Sequence, residues 1–173
     1  MRSRTSDWFE TKIRYDKTQE DGSQKAVTEQ YVVDAQSFTE AEASVTDEMS
    51  AYISGEFKIV GLKPAPYHEI FFSDNGNDDK WFKAKLSFIT IDEKSEKEKR
   101  STVNYLFQAK TLPGAVKSID EVMGHTMIDY EISAVTETTF MDVFEHDASA
   151  KARINANDVP EYEQADQTEK GSE

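Results

Sequence analysis

The sequence predicts an α+β protein: tandem duplicated ββαββ units that form antiparallel sheet with two helices packed on it, pseudo-twofold, followed by a disordered acidic C-terminal tail. Three observations predict it. Residues recur in the same order along two halves at an offset of 73 or 74. Each half alternates apolar and polar residues in strand-like runs around one stretch of helical periodicity. The apolar pattern stops near Asp147.

The offset can be followed residue by residue. Trp8-Phe9 corresponds to Trp81-Phe82 and Lys12 to Lys85, both at 73. Tyr31 and Tyr105, Ala35 and Ala109, Ala41 and Ala115, and Met49 and Met123 correspond at 74. Ile59 and Ile132, Tyr67 and Phe140, and Phe71 and Phe144 return to 73. The slips fall in hairpin regions or helix ends, where insertions are tolerated. A tandem duplication accounts for the order and spacing of these pairs.

The first unit is assigned to residues 7–72. DWFETKIRYDK alternates Phe9, Thr11, Ile13 and Tyr15 against Trp8, Glu10, Lys12 and Arg14, as a half-buried strand does. TQEDGSQ makes the hairpin, and the second strand, KAVTEQYVVDA, places Val27, Tyr31 and Val33 on one face. Ser37-Phe38-Thr39-Glu40 is a capping box that opens a helix with Phe38, Ala41, Val45, Met49 and Ile53 on one side. A third strand carries Phe57 and Ile59. A fourth follows Pro64 and Pro66, from Tyr67 to Phe72.

SDNGNDDK, residues 73–80, is a turn-rich linker. The second unit, residues 81–146, repeats the plan: WFKAKLSFITI, the charged loop DEKSEKEKR, then STVNYLFQA. Thr111 is the expected helix cap, with Pro113 in the first turn. Leu112, Ala115, Ile119, Val122 and Met123 form the buried stripe, and two last strands carry Tyr130, Ile132, Phe140, Val143 and Phe144. One unit alone is small for a stable core, so the two are expected to share one. Residues 147–173 read as the disordered acidic tail, with three basic and seven acidic residues.

Composition narrows the function classes. With 173 residues, 37% hydrophobic and 11% aromatic, the chain can bury a core. Its net charge of −14 repels bulk DNA and anionic membranes at long range, so nucleic-acid contact requires a local cationic patch. Without cysteine, a disulfide framework, a thiolate metal site and a cysteine nucleophile are excluded. MRSRTSDWFE lacks an apolar stretch, so no signal peptide is expected, and no run has transmembrane length. A cytoplasmic protein is expected.

Motifs for catalysis do not emerge. His68, His125 and His146 stand singly, the seven glycines are scattered, and 34 carboxylates make any acidic pair undiagnostic. Asp74, Asp78 and Asp79 lack the full pattern of a calcium loop and read as a solvated turn. The expectation is a non-enzyme without cofactor or metal.

The most informative constellation lies on the two first strands. Trp8, Lys12 and Arg14 share one face, as do Trp81, Lys83 and Lys85. If these faces point outward, rings beside cations form a platform for stacking bases and holding phosphates of a single strand. The alternative, which carries more weight, is that both rings pack between the units with lysine stems laid over them. The tail adds little: single-stranded-DNA-binding proteins often end an acidic tail on an aromatic residue, whereas this one ends Lys170-Gly171-Ser172-Glu173. Two classes of partner are therefore expected: single-stranded nucleic acid, or a basic protein docked on an acidic regulatory protein that mimics DNA charge. No membrane contact is expected. Open sheet edges allow a homodimer.

The strings DWFETKIRYDKT, SFTEAEA, ISGEF, EIFFSD, WFKAKLSFITIDEKS and TMIDYEI, with the following ET and MDVF, resemble an uncharacterised domain-of-unknown-function family of Bacteroidetes and their phages. The resemblance runs over nearly all of residues 7–146. It implies a bacterial or phage cytoplasmic protein, carries over no catalytic or binding residue, and points to mobile-element replication only through genomic company.

Overall fold

The computed structural model describes residues 1–146; the expected acidic tail, 147–173, lies outside the described residues. Within them the chain runs β1 (Arg2–Arg4), β2 (Trp8–Thr18), β3 (Gln24–Asp34), α1 (Phe38–Tyr52), β4 (Phe57–Pro64), β5 (Tyr67–Phe72), β6 (Lys80–Ile91), β7 (Glu98–Ala109), α2 (Leu112–Met123), β8 (Asp129–Glu137) and β9 (Phe140–Phe144). The class is α+β, with two helices on two sheets. No described helix is long and apolar enough to cross a membrane.

The sheets are mixed rather than purely antiparallel. One has the order β1-β5-β7-β6-β8 and the other β4-β2-β3-β9. In each, a long hairpin pairs antiparallel (β2 with β3, β6 with β7), and the strand after the helix flanks the first strand. The last strand of each ββαββ run then leaves its own sheet: β5 pairs parallel with β7, and β9 pairs parallel with β3. The exchange is reciprocal, so each run completes the sheet of the other. Registers correspond as well, with bulges at Lys12/Ile13 against β4 and at Lys85/Leu86 against β8.

Alternation in the strands creates three core layers. Phe9, Ile13, Tyr31 and Val33 pack on Ala41, Val45 and Met49 of α1. Leu86, Tyr105 and Phe107 pack on Ile119 and Met123 of α2. Between the sheets lies the third: Trp8, Val32 and Val143 from one, Ile70, Phe72, Trp81 and Leu106 from the other. The layers therefore run helix, sheet, sheet, helix.

Helix starts follow local chemistry. Ser37 Oγ accepts the Glu40 N–H at 3.1 Å, while the Glu40 carboxylate accepts from Gln36 N, one residue before the cap position that a strict capping box uses. Thr111 Oγ1 accepts from Gly114 N, and Pro113 sits in the first turn where its missing N–H is not needed. Three differences from the sequence reading are local. β6 begins at Lys80, inside the expected linker. The last three residues of DEKSEKEKR belong to β7, which starts at Glu98. The basic N-terminus forms β1, which caps β5 with Arg2 over the Phe72 ring at 4.1 Å.

Candidate functional site: two grooves on the inner sheet faces

Trp8 and Trp81 head the two faces singled out in the sequence, and both are 2% exposed. They lie in the core between the sheets, where Trp81 meets Phe72 edge-on at 5.5 Å. Of the two readings of these rings, packing between the units is the one the structure has and the exposed stacking platform is not: alternation put each ring on the right face of its strand, but the second sheet covers that end of the face. No base reaches either ring without opening the core.

The cations remain accessible. Alternation carries Glu10, Lys12 and Arg14 away from Trp8 along β2, and Lys83 and Lys85 away from Trp81 along β6. Lys12, Arg14 and Lys85 are exposed and Lys83 is half-buried. None of these four cations forms an ion pair among the described residues. They belong to different sheets and are not gathered into one cluster.

Glu10 and Lys12 line one groove, with Arg14 outside its lining, and Lys83 and Lys85 line another. In the first, about 270 Å³, Lys12 lies between its cross-strand partners Gln30 and Gly61, and Glu10 lies opposite Lys63. In the second, about 540 Å³, Lys85 lies between Asn104 and Ala134, and Lys83 lies opposite Thr136. The five positions correspond at 73 or 74. Gln30, Asn104, Thr136 and Glu10 were not singled out in the sequence. The offset could have found them, because it aligns Glu10 with Lys83 and Lys63 with Thr136.

Electrostatics separate the grooves. Glu10 accepts from the Tyr67 hydroxyl at 2.9 Å and pairs with Lys63 at 3.3 Å. Burial, then the Glu10 charge, raise the Tyr67 hydroxyl far above its ordinary pKa, so it stays a donor. No carboxylate lines the second groove. Its Thr138 hydroxyl is committed to the Trp81 carbonyl at 2.8 Å, which leaves Asn104 and Thr136 as neutral hydrogen-bonding groups beside the two lysines.

A second polar cluster joins the chain ends. Arg4 Nη2 contacts the buried Asp34 carboxylate at 2.5 Å, Arg4 and Arg2 both reach Glu145, and Asp34 accepts the His146 N–H. Burial raises the Asp34 pKa against the opposing His146 hydrogen bond and Arg4 charge. Its groups are consumed by one another, and among the described residues no three His, Asp or Glu converge on a common metal-sized point. The cluster is read as a structural tie.

Fold and site together define a two-sheet α+β protein with a polar groove on the inner face of each sheet. Residues 7–146 match the family model described as a domain of unknown function, DUF4494, and the chain belongs to that family. No curated protein and no solved structure matches it.

Proposed function

We propose that the protein is a non-enzymatic binding module for single-stranded nucleic acid, held by backbone phosphates on the inner sheet faces. One observation carries this reading: Lys12, Arg14, Lys83 and Lys85 stand free of ion pairs among the described residues of a chain with net charge −14. Lys12 and Lys85 recur at the 73-residue offset, and Arg14 and Lys83 each stand two residues along the same strand face, so positive charge gathers locally on an acidic chain. With Trp8 and Trp81 buried, contacts are to phosphate and sugar, so binding is salt-sensitive and nearly indifferent to sequence. The correspondence of the two runs is read as a tandem duplication. The resemblance of the chain suggests an accessory role in phage or mobile-element replication, in the cytoplasm of a Bacteroidetes host.

The test is fluorescence anisotropy of a labelled oligonucleotide, single- and double-stranded, at low and moderate salt. Saturable binding of the single strand that weakens with salt is expected. Absence of binding at low salt removes the proposal.

A second reading is a protein-interaction module. The acidic surface suits a basic partner, and Met127 and Ile128 are exposed in the turn after α2. Among the described residues β4, β9, β1 and β8 are edge strands, open to a partner strand or a second copy. Pull-down from the native host, with crosslinking for homodimers, tests it.

A further inference from the structure

The two grooves share their backbone plan and differ in charge, and the difference singles one out. We infer that the groove of Lys83 and Lys85 is the phosphate-binding site, and that Glu10 closes the corresponding groove on β2 to anions. The inference rests on the nucleic-acid reading above and narrows it to one face of one sheet.

Three features carry it. First, Lys83 occupies the position of Glu10. Glu10 is held by Lys63 and the Tyr67 hydroxyl, so it cannot swing aside for an incoming anion without leaving both. Second, each lysine has a neutral hydrogen-bonding neighbour directly across a strand pair, Thr136 for Lys83 and Asn104 for Lys85. A cation beside a hydroxyl or an amide suits a phosphate oxygen, which takes a charge-assisted bond and a neutral one together. Third, Lys83 and Lys85 are two residues apart on one strand, about 6.7 Å along it. Two cations in line favour an extended polyanion over an isolated ion. No aromatic ring lines the groove, so the phosphodiester backbone is contacted and the base is not.

Reciprocal exchange of the distinguishing residue tests this directly. Oligothymidylate labelled with fluorescein is titrated with the full chain, with Lys83→Glu, with Lys83→Ala/Lys85→Ala, with Lys12→Ala/Arg14→Ala, and with Glu10→Lys. Circular dichroism melts verify that each is folded. Lys83→Glu is expected to weaken binding at least tenfold. The Lys83/Lys85 double variant is expected to lower the slope of log affinity against log salt by about 1.4, two contacts at about 0.7 each. The Lys12/Arg14 variant should weaken binding less than the Lys83/Lys85 variant does, because the Glu10 carboxylate already stands beside Lys12, and Glu10→Lys should raise affinity or add a second equivalent of bound strand. Binding lost in the Lys12/Arg14 variant but kept in the Lys83/Lys85 variant overturns the assignment while leaving the nucleic-acid reading standing. No binding by the unmodified chain removes both. Displacement of the oligonucleotide by polyglutamate of equal length at equal concentration overturns the phosphate assignment, since the groove would then respond to negative charge of any kind.

Discussion

The ends of the two hairpins solve one structural problem with different chemistry. Asp34 and Gln108 occupy corresponding places near the ends of β3 and β7, and each accepts a backbone N–H just beyond the strand received from the other run. Gln108 takes Ser73 N at 3.0 Å, and Asp34 takes His146 N. The neutral amide needs nothing more. The carboxylate is buried and therefore needs a cation, and β1 supplies Arg4. The same contrast governs the grooves, where Glu10 is neutralised internally and Lys83 is not. Equivalent backbone positions are thus closed or left open by a single charge and its nearest partner.

Where the runs are alike, damage should be largest. Trp8 and Trp81 fill corresponding places in the core that joins the sheets. Trp8→Ala or Trp81→Ala is expected to cost about 3–5 kcal/mol each, a large share of the stability of a domain this size. Urea denaturation followed by far-ultraviolet circular dichroism measures it. Equal losses within about 1 kcal/mol would support a shared core; a loss confined to one ring would break the equivalence.

The charged tie offers the next effect. Arg4→Ala leaves the Asp34 carboxylate buried without its cation. Because Arg4 is itself 34% exposed, the expected cost near neutral pH is about 2 kcal/mol, below the range for fully buried pairs. The sign with pH follows from the raised pKa of Asp34. The folded state holds this proton to higher pH than the unfolded chain does, so the contribution favours folding in acid. It is lost as pH rises from the ordinary carboxylate range through the folded value. Arg4→Ala should steepen that loss, and relative to the unmodified chain it should recover toward acid. Asp34→Asn keeps an acceptor for His146 N and resembles the neutral tie at Gln108. It is expected to stay within about 1 kcal/mol of the unmodified chain at neutral pH and to flatten the profile. An Arg4→Ala deficit that does not change with pH would mean that the arginine acts through packing alone.

How far the sequence discloses all this varies by element. Long strands and both helices are legible because alternation, helical spacing and the Ser37 and Thr111 caps act locally. The reciprocal exchange of β5 and β9 is not, since nothing in YHEIFF or FMDVF tells which sheet edge each will join. β1 escaped notice because three residues cannot show a period; its anchors, Asp34 and Glu145, lie far along the chain. For the tryptophans, alternation gives a face and stays silent on what covers it. Lys12 and Lys85 stood out as a matching pair, whereas the more telling position is the mismatch of Glu10 with Lys83.

The smallest expected effect comes from making the grooves more alike in shape. Gly61 lies across from Lys12, where the second run has Ala134 across from Lys85. A Cβ on Gly61 would meet the Lys12 stem at 3.5 Å, an ordinary van der Waals contact, and Gly61 lies outside the left-handed region that would strain an alanine. The unfolded chain loses conformational freedom when glycine becomes alanine, so Gly61→Ala should stabilise the protein by about 0.4–1 kcal/mol. Destabilisation instead would show that the bulge between β2 and β4 needs the bare backbone at this position and that its likeness to the bulge at Lys85 is only approximate. Read by the shift in urea midpoint at unchanged slope, the variant separates the two cases.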